Sequence, residues 1–182
     1  MDEITLVDYD PQWPEQFRAE AIQIEASLGD SVVVIEHFGS TAIPGLSAKP
    51  IIDLLVAVRS LTEARTRAVP ALEALGYAYW PADPAPDRLF FVKGLPPNGP
   101  RTHHVHVVEP SVSHDLRLGE FMFADRLLFR DYLRAHPEEA EHYAALKRSL
   151  LVQFSEDREA YTSGKTEYVY NVMQKVRVDA KK

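Results

Sequence analysis

The chain has 182 residues, 46% of them hydrophobic, and a formal net charge of -7. This length suits one domain with a substantial core, and the absence of cysteine excludes disulfide scaffolds, thiol nucleophiles and cysteine-bearing metal knuckles. The acidic balance argues against nucleic acid as a partner, because general affinity for it arises from Lys and Arg neutralising phosphates. The N-terminus lacks the layout of a signal peptide and no apolar run approaches the ~20 residues that span a bilayer, so the sequence predicts a cytoplasmic protein without a membrane partner.

The first part of the chain alternates predicted strands and helices. Residues 4–7 have the composition of a short strand, and Pro14 followed by apolar residues at helical spacing predicts a first helix that ends at Gly29. Two β-branched runs, at residues 32–35 and 51–58, are too short for buried helices. They are predicted to be neighbouring core strands.

The following segments predict one more helix and three more strands. The second helix begins at a cap, Ser60 or Thr62, and continues to Leu75, where Gly76 ends it. Further extended segments are predicted at residues 77–80, 88–93 and 103–109.

From about residue 116 the pattern becomes helical. Apolar residues at helical spacing predict helices at residues 121–134, 137–154 and 163–178. We therefore predict an α+β fold with a small mixed sheet, an N-terminal helix and a helical C-terminal third. The chain is predicted to be a single domain over residues 1–182, with the sheet in about 1–112 and the helical part in about 113–182.

One acidic residue lies inside the second core strand. A carboxylate within the apolar run 51–56 is costly unless a cation or hydrogen bonds compensate it. Because successive side chains of a strand point to opposite faces, Asp53 leaves the face on which Ile52 and Leu54 lie. The pattern favours a functional acid, and the alternative is a structural acid that pairs with Lys49.

A loop of small residues precedes this strand. Gly39 lets backbone N–H groups approach a ligand, and a turn that begins at Ser40 would attract an anion. Ser40 and Thr41 add hydroxyl groups, so phosphate binding is favoured over the alternative, a tight turn with a helix cap. His37 is predicted to support the loop by a hydrogen bond, and Lys49 is predicted to offset further negative charge.

For the other basic residues, the sequence indicates a role less specifically. Arg101 is a candidate phosphate ligand, and Arg88 could contact the same phosphate tail or be solvated. On the C-terminal helices, Arg130, Arg134 and Lys147 are predicted to be solvated charges, because long charged side chains are mostly exposed.

Two histidines share one face of the last predicted strand. His104 and His106 are separated by one residue, so both could lie beside Asp53 if this strand neighbours the acid. Asp53, His104 and His106 would then form a three-ligand metal site, whose nitrogen ligands suit manganese, zinc or iron better than magnesium alone. The alternative is ordinary polarity on a half-exposed strand.

Several segments resemble the GrpB family in their order and spacing. They are His37–Thr41, Pro44–Leu46, Ala48–Asp53, Leu75–Tyr77, His104–Val107, Phe129–Arg134, Tyr143–Lys147 and Tyr161–Lys165. The resemblance covers nearly the whole chain. It implies a nucleotidyltransferase-like fold, since that family is assigned to the nucleotidyltransferase superfamily.

The resemblance also implies a mechanism. In the wider superfamily a Gly-Ser loop holds the nucleotide phosphates, and acids on the following strand hold magnesium ions. By resemblance, Gly39 and Ser40 match the loop and Asp53 matches the first acid, whereas Leu55 stands where a second acid would lie. Leucine cannot bind magnesium, so this position departs from the two-metal pattern.

The resulting functional prediction has one primary form and two alternatives. The primary form is a metal-dependent nucleotidyltransferase that moves a nucleotidyl group from a nucleoside triphosphate to a hydroxyl of a small molecule or protein, with Asp53 and His106 as catalytic residues. The cofactor would be magnesium or manganese, with zinc as a further option, and the partner a nucleotide or another phosphorylated small molecule. The alternatives are a non-catalytic module that binds a nucleotide or coenzyme-A precursor, since GrpB-like domains also occur joined to dephospho-coenzyme A kinases, and a His/Asp metal-dependent phosphoester hydrolase.

Overall fold

The structure is a computed structural model and describes residues 4–83, 87–95, 99–110 and 123–179. The α-helices are α1 (Trp13–Leu28), α2 (Leu61–Ala74), α3 (Phe123–Ala135), α4 (Pro137–Phe154), α5 (Arg158–Ser163) and α6 (Thr166–Asp179). The strands are β1 (Val32–Phe38), β2 (Ile52–Val58), β3 (Tyr77–Tyr79), β4 (Arg88–Lys93) and β5 (His103–Val108). These elements confirm the α+β class.

The strands form one mixed sheet in the order β1-β2-β5-β4-β3. The β2 and β5 strands are parallel, and every other neighbouring pair is antiparallel. The predicted pairing of the two core strands is confirmed, because β1 lies directly against β2. The order also places β5, with its histidines, on the other side of β2.

The two faces of the sheet are covered differently. One face packs against α1 and α2 and forms the main apolar core, with Leu54 of β2, Ile24 of α1 and Leu72 of α2 fully buried. On the opposite face, Leu55 is also fully buried, and it packs with Leu127 of α3 in a smaller cluster. Asp53 shares this second face, beyond the part that α3 covers.

Two predicted elements differ from the structure. Residues 4–7 do not form a strand; Val7 makes a single antiparallel bridge to Ala48 instead. The predicted helix at 163–178 is interrupted, because α5 ends before Gly164 and α6 begins at Thr166. A side chain at Gly164 would collide with Leu150, which accounts for a glycine at this junction.

The predicted start of one helix, at residue 121, is not tested. That start lies outside the described residues, and the helix is described from Phe123. No helix in the described ranges is long and apolar enough to cross a membrane.

Candidate functional site

A cleft of about 770 Å³ opens on the Asp53 face of the sheet. The loop between β1 and β2, the strands β4 and β5, and residues of α3, α4 and α5 contribute to its lining. Seven of the lining residues are Lys or Arg, against three Asp or Glu, although the whole chain carries a net charge of -7. The cleft therefore concentrates positive charge, which favours an anionic ligand.

The carboxylate of Asp53 lies against Gly39 and opens into the cleft. The side chain of Asp53 is 24% exposed, so it is neither sealed in the core nor fully solvated. Gly39 has a φ of +72°, and a Cβ atom built on it would lie 2.4 Å from Oδ2 of Asp53. Glycine is required here both by the backbone conformation and by the close approach of the acid.

We expect Gly39→Ala to lower the free energy of unfolding more than Gly29→Ala. Both glycines have positive φ, but a Cβ on Gly29 would meet no atom within 4 Å. Gly29→Ala, the control, should therefore lower the free energy of unfolding by only about 1 kcal/mol, through backbone strain. Gly39→Ala should lower it by a further ~2 kcal/mol, through overpacking against Asp53. Urea unfolding of both variants measures the difference, and equal losses would show that the loop yields freely.

His104 binds directly to the acid. In the parallel ladder Asp53 lies opposite His104, and Nδ1 of His104 is 3.2 Å from Oδ1 of Asp53. Because a carboxylate accepts, Nδ1–H donates, and the lone pair of neutral His104 is on Nε2. Nε2 is buried and has no hydrogen-bond partner among the described residues. A divalent ion held by Asp53 and His104 together would replace this hydrogen bond, with the carboxylate and a deprotonated Nδ1 as its oxygen and nitrogen donors, because Nε2 points away from Oδ1.

His106 completes the predicted cluster in space, but its hydrogen bonds differ. Ligand atoms of Asp53, His104 and His106 all lie within 4.8 Å of one another, which a shared metal ion would require. Nδ1 of His106, however, lies 3.2 Å from Arg88 and 3.4 Å from Arg126. Guanidinium groups only donate, so Nδ1 accepts and the proton of the neutral ring is on Nε2. Neither ring nitrogen of His106 then has a lone pair available for a metal unless these bonds change.

The loop residues divide between the cleft and the interior. Ser40 begins a short 3-10 turn, as predicted, and its Oγ accepts from Lys147 at 3.2 Å. Thr41 is 1% exposed, and its hydroxyl donates to the carbonyl of Ile51 and accepts from Nε2 of His37 at 3.0 Å. The hydroxyl of Thr41, predicted to contact phosphate, is thus used inside the loop, whereas His37 makes the supporting hydrogen bond that the sequence predicted.

Three lysines surround the Ser40 side of the cleft. Lys147 is 2% exposed and donates to Ser40 and to the carbonyl of Ser47. The ammonium groups of Lys49 and Lys165 lie 5.0 Å and 4.9 Å from the ring centroid of Tyr161. Among the residues that the structure describes, none of these three lysines forms an ion pair with a carboxylate.

The pKa values of the three lysines are lowered, in line with the lack of carboxylate ion pairs. Burial, and then the charges of Lys165 and other cations, lower the pKa of Lys49 and that of Lys147 to about 7 each. Burial also lowers the pKa of Lys165. Buried ammonium groups without anionic partners are costly, and a bound anion would remove that cost. We call Lys49, Lys147 and Lys165 the lysine cluster.

Comparison with known proteins identifies the family. The family model described as GrpB protein matches residues 3–175. The chain belongs to the GrpB family. The crystal structure of conserved protein GrpB from Enterococcus faecalis superposes with a TM-score of 0.80 and 29% sequence identity, over 98% of this chain and 100% of that chain.

Other relatives place the GrpB region in different contexts. A UPF0157 protein of Pseudomonas aeruginosa is 47% identical in an alignment of 174 residues that covers 94% of this chain and 67% of that protein. A dephospho-CoA kinase of Mycolicibacterium paratuberculosis is 32% identical in an alignment of 179 residues that covers 89% of this chain but only 43% of the kinase. Terminal uridylyl transferase 4 from Trypanosoma brucei with bound CTP aligns at a TM-score of 0.48 and 11% identity, over 96% of this chain and 51% of that chain.

The fold of this GrpB chain brings most of the predicted site residues together in the cleft, and it adds Lys147, for which the sequence had predicted no role there. Lys49, Ser40, Asp53, His104 and Arg101 all line the one cleft. The prediction that Lys147 and Arg130 are solvated was wrong, because both are buried: the first contacts the loop, and the second binds Glu36 and the carbonyl of His37. Arg134, which is exposed, agrees with its prediction.

Proposed function

We propose that this GrpB chain binds a nucleoside triphosphate in the cleft and transfers its nucleotidyl group to the hydroxyl of an acceptor. The observation that carries the proposal is the lysine cluster, which lacks carboxylate partners among the described residues and lies beside Ser40 in the cleft that Asp53 also lines. Ammonium groups paired with phosphate oxygens form strong, charge-assisted hydrogen bonds. A triphosphate is an anion large enough to contact the lysine cluster and still reach the acid.

The proposed metal site supports this placement. Asp53 and His104 would hold a divalent ion together with phosphate oxygens, since metal ions of this kind are commonly shared between a few protein ligands and the substrate. When bound, the ion would neutralise phosphate charge and polarise the attacking group. The residues of the chain have separate tasks: the lysine cluster orients the phosphates, Gly39 allows close approach, and, before an ion binds, the hydrogen bond to Asp53 fixes the ring of His104.

The proposed transfer makes one bond to phosphorus and breaks another. The acceptor oxygen forms a bond to the α-phosphorus, the bond from that phosphorus to the bridging oxygen breaks, and pyrophosphate leaves. The proton of the acceptor hydroxyl passes to water in the cleft. No redox partner is needed.

Asp53→Asn tests the proposal, because it keeps the size of the side chain and removes its charge. We expect nucleotide affinity in the absence of metal to change less than about threefold, because the lysine cluster remains intact. The increase in affinity that manganese causes should disappear, and transfer should fall by at least about 100-fold. Calorimetry with and without manganese, and release of labelled pyrophosphate, provide the two measurements.

Asp30→Asn is the matched control, since Asp30 is exposed and does not line the cleft. The proposal fails if wild-type protein shows no saturable nucleotide binding. It also fails if Asp53→Asn behaves like the control in both measurements.

A second candidate is a nucleotide or coenzyme-A-precursor binding module without transfer. The observation that favours it is Leu55, which is fully buried under α3 at the position where a second acid would lie. A relative is a dephospho-CoA kinase, of which this chain matches 43%. Tight nucleotide binding with no pyrophosphate release, for any acceptor offered, would favour this module.

A further inference from the structure

We propose that Arg88 and Arg126 bind the anionic group of the acceptor substrate, so that the acceptor is a small molecule with a hydroxyl group and a carboxylate or phosphate. This inference rests on the proposed function, but it concerns a different part of the cleft. It uses the arginine pair, defined here as Arg88 and Arg126, and leaves the lysine cluster to the nucleotide.

The arginine pair converges on a single atom. Arg88 comes from β4 and Arg126 from α3, yet a terminal nitrogen of each lies within 3.4 Å of Nδ1 of His106. Two guanidinium groups from separate elements thus donate to one uncharged acceptor. A carboxylate or phosphate offers two or more acceptor oxygens and a negative charge, so it could accept from both groups at once at the point where they now share one nitrogen lone pair.

The surroundings hold the arginine pair in place before any ligand binds. Arg88 makes a two-pronged ion pair with Asp83, at 2.7 Å and 2.9 Å. The guanidinium carbon of Arg88 lies 5.4 Å from the ring centroid of Phe90, and that of Arg126 lies 5.4 Å from Phe38. The two aromatic rings and the carboxylate of Asp83 restrict the orientation of the two guanidinium groups, so less entropy is lost when an anion binds.

The electrostatics favour an anion over a cation at this point. Burial, and then repulsion from the charge of Arg88, lower the pKa of Arg126 to about 10, while Asp87, Asp53 and Asp83 act in the opposite direction. An anion between the guanidinium groups would relieve this repulsion.

The distance between the arginine pair and Asp53 limits the size of the acceptor. His106 and His104 lie on one face of β5, two residues apart, and a ring nitrogen of one lies within 4.8 Å of a ring nitrogen of the other. His104 contacts Asp53, so an anion held beside His106 would place the rest of the molecule next to the acid. The acceptor is therefore a compact hydroxy acid or phosphorylated alcohol, in which only a few bonds separate the hydroxyl from the anionic group.

The test uses defined probes, because the natural acceptor is unidentified. Glycerol 3-phosphate and 4-hydroxybutyrate represent the phosphate and carboxylate forms, and glycerol is the uncharged control. Each is titrated by calorimetry into the full chain, with and without a saturating non-hydrolysable nucleoside triphosphate. The variants are Arg126→Gln, Arg88→Gln, Lys147→Met and, as a matched control, Arg67→Gln on the exposed surface of α2.

We expect at least one anionic probe, but not glycerol, to bind with saturation. Either cleft arginine variant should weaken that binding by about tenfold or more, while nucleotide affinity changes less than about threefold. Arg67→Gln should leave both affinities unchanged. Whichever probe binds more tightly identifies phosphate or carboxylate as the natural group.

Three results would overturn the inference. They are the absence of probe binding at roughly 10 mM, equal behaviour of Arg126→Gln and Arg67→Gln, and loss of probe binding only in Lys147→Met. If the arginine variants fail to fold, a crystal structure of the unchanged protein with glycerol 3-phosphate decides the matter, since density must bridge Arg88 and Arg126 and not the lysines. Probe binding that depends on Arg126 without any nucleotide binding would refute the proposed function and leave the arginine site standing.

Discussion

Lys147→Met is expected to weaken nucleotide binding by about 100-fold while making the free protein more stable. The binding loss, ~2.7 kcal/mol, follows from removing one charge-assisted contact to phosphate. The gain in the free energy of unfolding, about 2 kcal/mol near pH 6, follows from replacing a buried, unpaired charge with an apolar side chain of similar length. If the lysine had a structural role, replacing it would make the protein less stable. The sign of the stability change therefore distinguishes a binding residue from a packing residue.

The stability gain should depend on pH in a defined direction. The pKa of Lys147 is about 7 in the folded protein and 10.5 when unperturbed. The cost of burying its charge is therefore fully present below pH 7 and is relieved as the pH rises toward 10.5. Thermal unfolding of wild type and variant at several pH values should show the difference shrinking over this range.

The control is Arg148→Met, one residue along α4, where Arg148 is exposed and pairs with Glu141. It should change stability and nucleotide affinity only slightly, because exposed ion pairs contribute about 0–1 kcal/mol. Unaltered nucleotide affinity in Lys147→Met would remove the lysine cluster from the phosphate site.

Anion binding to wild-type protein is expected to take up protons and to weaken as the pH rises above 7. Lys49 and Lys147 each have a pKa of about 7, so near neutral pH part of each is uncharged. An anion stabilises the charged forms and raises both pKa values. Affinity should then fall about tenfold per pH unit for each lysine that must gain a proton.

Sulfate is the probe for this experiment, because it does not itself titrate between pH 6 and 9 in the way that phosphate does. Calorimetry at one pH in two buffers of different ionisation enthalpy gives the number of protons taken up. Other charges facing Lys49 are Lys165, Arg158, Arg101 and Asp53, and the arginines stay charged throughout this range. Proton uptake should decrease in Lys147→Met, and an affinity independent of pH would contradict the assignment.

Part of the site could be predicted because its determinants are local in the sequence. Gly39 and Ser40 lie within a single loop of small residues, and Asp53 is a polar interruption of an apolar strand. Alternation along a strand placed His104 and His106 on one face, which required no knowledge of distant contacts. The pairing of β5 with β2 then brought His104 to the acid, as the sequence had only proposed conditionally.

Helical residues were harder to assign, because helical spacing alone does not indicate which face of a helix meets a cleft. Lys147 lies 107 residues after Ser40 and Arg130 lies 94 residues after Glu36, so no local pattern marks these contacts. Both residues have charged side chains that are usually solvated, and that general tendency made the prediction wrong. Arg126 was missed for the same reason.

The amino-acid sequence by itself determined the family, the α+β class and the acid, glycine and serine around which the cleft is built. These features depend on short-range periodicity and on backbone conformations that only certain residues adopt, both of which can be read in one dimension. Only the tertiary structure decided the charge of the cleft, because α3, α4 and the segment after α5 bring Arg126, Lys147 and Lys165 to the sheet from distant parts of the chain. Electrostatic energy depends on distance in space and on burial, and neither quantity exists until the chain has folded.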